Sequence, residues 1–205
     1  MFIQVIQGRT ADAQGLRAAV DRWEKDIAPG AEGWLGSTGG VTEDGRAIAV
    51  VRFESEEAAR RNSERPEQDS WWKETEKLFD GEVTFRESSD VVVDLQGDPD
   101  RAGFVQVMQG RTSDPARARE LMTQDPEMWA KFRPDVLGSV EILHDGGAYT
   151  MVLYFTSEAD AREGERKEVP PELKATMDEM DKLTVEEPEF YDLKQPEMRS
   201  APRST

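Results

Sequence analysis

A nine-residue phrase occurs twice in this chain. Residues 2–10 read FIQVIQGRT and residues 104–112 read FVQVMQGRT, with the same letter at seven of nine places. At the same offset of 102, residues 1–60 lie over 103–162 without a gap and agree at 20 of 60 positions, where average composition gives about one in sixteen. Such a repeat means one architectural unit written twice. The 205 residues therefore divide into two domains of about 100 each.

Each copy reads strand, helix, strand, strand, helix, strand. Residues 2–7 alternate apolar and polar, and Gly8 ends that strand. Asp12 and its counterpart Asp114, which precedes Pro115, stand where a helix N-cap is expected. Leu16, Ala19, Val20, Trp23 and Ile27 then recur at helical spacing until Pro29-Gly30 stops the helix. A strand over residues 34–42, a turn at Glu43-Asp44-Gly45 and a return strand over 46–53 make a hairpin. Asp145-Gly146-Gly147 marks the equivalent turn, with its return strand over 149–155. Ser55 opens a second helix that Pro66 interrupts and that resumes through Trp71, Trp72, Thr75 and Leu78 to Phe79. In the second copy Pro126 shortens the first helix, and Pro170-Pro171 precede a helix with Leu173, Met177 and Met180 on one side.

Residues 82–86 with 91–95 are expected to close the first copy, and 190–193 to correspond to 92–95. The expected boundaries are a first repeat over 1–95, a linker over 96–102, a second repeat over 103–194 and a disordered tail over 195–205. In the return strand Ala49, Val51 and Phe53 form one apolar face and Ile48 and Val50 the other. Two helices cover only one face of such a sheet. The expected fold is therefore α+β, with two antiparallel sheets pressed face to face within one polypeptide.

Composition excludes several chemistries. Cysteine is absent and His144 is the only histidine, which removes disulfides, thiol nucleophiles, thiolate metal sites and multi-histidine metal centres. Runs such as Asp178-Glu179 and Glu186-Glu187 lack the spacing of a calcium loop, so no metal is expected. The formal charge of −17 repels phosphate backbones and anionic lipid, so neither nucleic acid nor a membrane is an expected partner. No uncharged apolar run, that of residues 47–51 included, exceeds five residues; neither signal peptide nor span is read, and the expected compartment is the cytoplasm.

The order of elements, the phrase VVRFESEEAARR over residues 50–61 and the aromatic second helix resemble the dimeric α/β-barrel superfamily, particularly its antibiotic-biosynthesis-monooxygenase-like branch. The resemblance covers both copies. It implies two ferredoxin-like βαββαβ repeats fused into an intrachain barrel, a monomer as a pseudo-dimer or a homodimer of fused units. Activities in that group include cofactor-free oxygenation of polycyclic phenols, haem degradation, isomerisation and ligand binding. For the oxygenases it implies an asparagine and a tryptophan on or near the second helix and an arginine on the last strand. Here these are Asn62, Trp71 or Trp72, and Arg86. An amide and a guanidinium would stabilise a phenolate that gives an electron to oxygen, with no cofactor, while indoles stack the rings. Pro66 and several added residues separate Asn62 from Trp71. The histidine that haem degradation requires beyond the second helix is missing.

A second set comes from strand patterning. Gln4 and Gln106 share a face with Phe2, Ile6, Phe104 and Met108, while Arg52 and Tyr154 occupy equivalent places on the return strands. Together these four are candidates for a polar, ligand-orienting lining inside the barrel. Trp71, Trp72 and Asn62 lack counterparts in the second copy, where Gly164 stands opposite Asn62, so an aromatic pocket is expected in the first copy, beneath its second helix. Three functional readings follow: a barrel that binds a small apolar or aromatic, polyketide-like molecule and oxidises it without a cofactor, a non-catalytic ligand carrier, or a structural protein.

Overall fold

In the computed structural model, which describes residues 1–201, the elements in chain order are β1 (Phe2–Arg9), α1 (Ala13–Asp26), β2 (Trp34–Val41), β3 (Arg46–Phe53), α2 (Glu56–Ser63), α3 (Pro66–Thr75), β4 (Thr84–Ser88) and β5 (Val91–Leu95). They continue with β6 (Phe104–Thr112), α4 (Pro115–Thr123), α5 (Pro126–Phe132), β7 (Val136–Leu143), β8 (Ala148–Phe155), α6 (Glu158–Glu165), α7 (Pro171–Leu183), β9 (Thr184–Leu193) and β10 (Glu197–Ser200). Two compact units result. One comprises Met1–Val91 and the stretch from Gln195; the other is Val92–Lys194.

Each unit is an α+β fold with a five-stranded sheet, ordered β10-β2-β3-β1-β4 in the first and β5-β7-β8-β6-β9 in the second. Without the outermost β10 and β5, each order is that of a ferredoxin-like βαββαβ module. The bounds of β2 and β7, of β3 and β8, and of α2 and α6 lie 102 residues apart.

The glycine of the shared Leu-Gly-Ser triplet at 35–37 and 137–139 shows why a fifth strand can dock. Pairing slips between Trp34 and Gly36, and again between Val136 and Gly138. A Cβ on Gly36 would stand 2.5 Å from the Arg199 carbonyl oxygen in β10, and one on Gly138 would stand 2.8 Å from that of Asp94 in β5. Both contacts are too close for any side-chain carbon, so only glycine lets the outer strand approach.

These outer strands correct three expectations. Val91–Leu95 does not close the first sheet; it pairs with β7 in the second unit. Glu197–Ser200, expected to be disordered, is a strand on β2; residues 202–205 of that tail lie outside the described residues. The counterpart of residues 190–193 is β4, because Phe190 faces Met108 as Phe85 faces Ile6.

The repeated phrase is structural at its end. Thr10 Oγ1 donates to the Leu78 carbonyl at 2.7 Å and accepts from the Asp12 amide at 3.0 Å, which fixes the entry into α1. Arg9 donates to the Asp44 carbonyl and Arg111 to that of Gly146, 102 residues on in each case. Each arginine thus ties its strand to the hairpin turn.

In the first unit, Phe2, Gln4 and Ile6 stand opposite Phe53, Val51 and Ala49, and this face carries the helices. Phe2 and Phe53 pack with Trp23 of α1, Trp34, and Ala58 and Ala59 of α2. On the alternate face Ile3, Val5, Ile48 and Val50 are buried as well. Among the described residues no helix is long and apolar enough to cross a membrane.

Candidate functional site

The helix-bearing face of the first unit does not close completely. A cavity of about 420 Å³ remains between the sheet, α1 and α3. Its wall is a chain of aromatic rings. Trp23 meets Trp34 edge-on at 4.9 Å and Trp71 at 6.4 Å; Trp71 lies 6.0 Å from Trp72, and Trp72 lies 5.3 Å from Phe85. Rings at these separations gain from edge-to-face contact beyond their buried area.

Polar groups enter at a few places. Asn62 is buried; its Oδ1 accepts from Arg65 Nη1 at 3.0 Å and its Nδ2 donates to Gln68 Oε1 at 3.4 Å. That Gln68 oxygen also accepts the Trp23 indole N–H at 2.6 Å. Trp71 donates its own N–H to the Ala19 carbonyl at 2.8 Å, so its ring, not its nitrogen, is offered to the cavity. Trp34 is 5 % exposed and its indole N–H is buried with no partner among the described residues. A buried donor left unpaired is costly.

Three carboxylates line the cavity, Asp69, Glu87 and Glu197, and no Lys, Arg or His does among the described residues. Asp69 is paired with Lys73 at 2.6 Å, and Glu197 with Arg17 at 3.1 Å and Arg199 at 3.3 Å. Glu87 accepts from Gln4 Nε2 at 2.7 Å.

The candidate residues fall into distinct places. Asn62, Trp71, Trp72 and Gln4 all line this cavity. Arg86 does not. It stands opposite Val5 in the β1–β4 register, between Phe85 and Glu87, which face the cavity, so its side chain leaves from the other face of the sheet. Arg52 stands opposite Ile3 and is likewise on the other face. In the second unit Gln106 donates to Asp192 Oδ1 at 2.9 Å, and Tyr154, opposite Val105, occupies the alternate face from Gln106. Gln4 and Arg52 therefore leave opposite faces of the first sheet, and Gln106 and Tyr154 opposite faces of the second. Sequence reasoning missed Glu87, Gln68, Trp23, Trp34, Phe85 and Glu197 as lining residues. Trp23 reads as helix core, and Glu87 lies just past the strand expected over residues 82–86.

Among the described residues no group of three or more His, Asp or Glu side chains is placed to hold a metal ion. His144 Nε2 lies 3.0 Å from the Thr150 hydroxyl.

No protein-family model and no curated sequence matches this chain. Solved structures do. A candidate monooxygenase from Lactobacillus acidophilus NCFM superposes with a TM-score of 0.71 at 12 % identity, over 97 % of this chain and 95 % of its own. The chain shares that structure's fold, a ferredoxin-like α+β architecture. A protein described as anthrone oxidase-like matches with a TM-score of 0.66 at 10 % identity, over 98 % of this chain and 91 % of its own. A major regulator of staphylococcal pathogenesis matches at 0.53 and 8 % identity, over 93 % of this chain and 98 % of its own. An oxidase-like protein and a regulator thus share one architecture, so at such identities the likeness concerns the fold and function must be argued from the site.

Proposed function

We propose that the first unit binds a small aromatic, polyketide-like molecule in its tryptophan-lined cavity. The observation that carries this reading is the cavity itself: about 420 Å³ is within the range of small-molecule sites, and few polar groups interrupt its apolar wall.

Two chemical readings follow. Cofactor-independent monooxygenation is favoured by the Asn62 amide, which shares the cavity with Trp71 and Trp72 and could hold an oxygen of a phenolic substrate. Non-catalytic binding is favoured by Arg86, whose side chain leaves from the far face, and by the absence of any cation from the lining among the described residues. A phenolate formed there would lack the guanidinium that makes it easier to oxidise. We take ligand binding as the function and oxygenation as the alternative.

Thermal-shift titration with planar aromatics, followed by oxygen-electrode measurement on the compounds that bind, tests both. Ligands are expected to raise the melting temperature by a few degrees, about 1.4 kcal/mol at tenfold excess over Kd. Arg86→Ala is expected to leave that shift unchanged and Asn62→Ala to reduce it. Oxygen uptake that Arg86→Ala abolishes would restore the catalytic reading; no shift with any planar aromatic would remove both.

A further inference from the structure

The second unit shows what completes the corresponding place in the first. Gln106 and Asp192 face each other across β6 and β9 as Gln4 and Glu87 do across β1 and β4, and in both pairs the amide donates to the carboxylate. In the second unit a cation joins them. The guanidinium of Arg162 on α6 pairs with Asp192 Oδ2 and lies over the Phe104 ring, 5.2 Å from its centroid. The carboxylate and the aromatic face are both met by one cationic group from the chain.

The first unit has the same amide–carboxylate pair without that cation. Arg60 occupies in α2 the position of Arg162 in α6, but its guanidinium turns outward to Glu64 at 2.7 Å and its side chain is 59 % exposed. Among the described residues no cation pairs with Glu87, and beside it lies the cavity framed by Trp72, Trp71 and Phe85. Aromatic faces attract cations through their quadrupole, most strongly for tryptophan, and a carboxylate at the rim adds its charge.

Building on the reading of this cavity as a ligand site, we propose that its ligand is an organic cation. A protonated amine or amidine sits at Glu87 and a planar apolar body lies among the tryptophans. The ligand thereby supplies in the first unit what Arg162 supplies in the second.

Calorimetric titration of the full chain with three acridines of matched shape tests this: 9-aminoacridine, cationic at neutral pH, the neutral acridone, and the anionic acridine-9-carboxylate. At 0.15 M salt the cation is expected to bind about tenfold more tightly than acridone, and the anion more weakly than either. The chain's overall negative charge attracts any cation, so the deciding variant is E87Q, which keeps the shape and the contact with Gln4. It is expected to lose about fivefold for 9-aminoacridine and to leave acridone unchanged. Equal affinity for cation and neutral compound, or an undiminished preference in E87Q, would overturn the proposal while leaving the cavity a ligand site. Failure of all three to bind would overturn that underlying reading too.

Discussion

Replacing Trp23 with alanine is expected to cost the first unit about 4 kcal/mol and to abolish ligand binding. Trp23 is 9 % exposed and joins the two parts of the aromatic wall, with Trp34 at 4.9 Å on one side and Trp71 at 6.4 Å on the other. Its N–H is held by Gln68, which also accepts from Asn62, so truncation both opens a void and frees the amide that orders the α2–α3 junction. Trp23→Phe keeps a ring but deletes that hydrogen bond, and is expected to cost about 1–3 kcal/mol. Hydrogen exchange of the β1–β3 amides measures this directly, with β6–β8 as an internal reference that should not move. A loss below about 1 kcal/mol in Trp23→Ala would mean that the indoles do not pack as described.

A chain ending at Lys194 is expected to lose about 3 kcal/mol from the first unit alone. The deletion removes β10, whose Glu197, Met198, Arg199 and Ser200 pair with Gly39, Thr38, Ser37 and Gly36. It also removes the ion pairs that tie this strand to α1, Arg199 with Asp21 at 2.5 Å and Glu24 at 3.2 Å, and Glu197 with Arg17 at 3.1 Å. Exposed ion pairs contribute little. Most of the loss therefore comes from the strand ladder and from the bare β2 edge left behind. The test is chemical denaturation followed by exchange in β2 against exchange in β7. Unchanged protection in β2 would contradict the pairing of β10.

Much of the fold was legible because its signals are local and doubled. Alternation in residues 2–7, the glycine turns at 45 and 147, and the prolines at 66, 115, 126 and 171 each mark an element without reference to the rest of the chain. The destination of β5 was not legible, since the valine run at the start of Val91–Leu95 indicates a strand but not a sheet. The same holds for β10. Residues 197–200 read as a polar tail, and become a strand because Gly36 lets them approach and α1 offers Asp21 and Glu24 to Arg199.

The candidate site divided along the parity of a strand. Asn62, Trp71 and Trp72 lie on helices facing the sheet, and the break at Pro66 did not part them because Arg65 and Gln68 both hold Asn62 across it. Arg86 is a strand residue, and a shift of one position exchanges the two faces. Only the register of β4 on β1, with Glu87 opposite Gln4, decides that the carboxylate and not the guanidinium looks into the cavity. No property of residues 84–88 read alone contains that information.

The central claim is that the first unit's aromatic cavity is where this protein binds its ligand, and the five tryptophans report on it. Four of them, Trp23, Trp34, Trp71 and Trp72, line the cavity, while Trp129 belongs to the second unit, 6.3 Å from Phe132. In a nitrogen-15 correlation spectrum, saturating 9-aminoacridine or acridone should move the indole N–H signals of the four and leave that of Trp129 in place. Movement of Trp129 alone, or binding that leaves all four signals where they were, would contradict the claim.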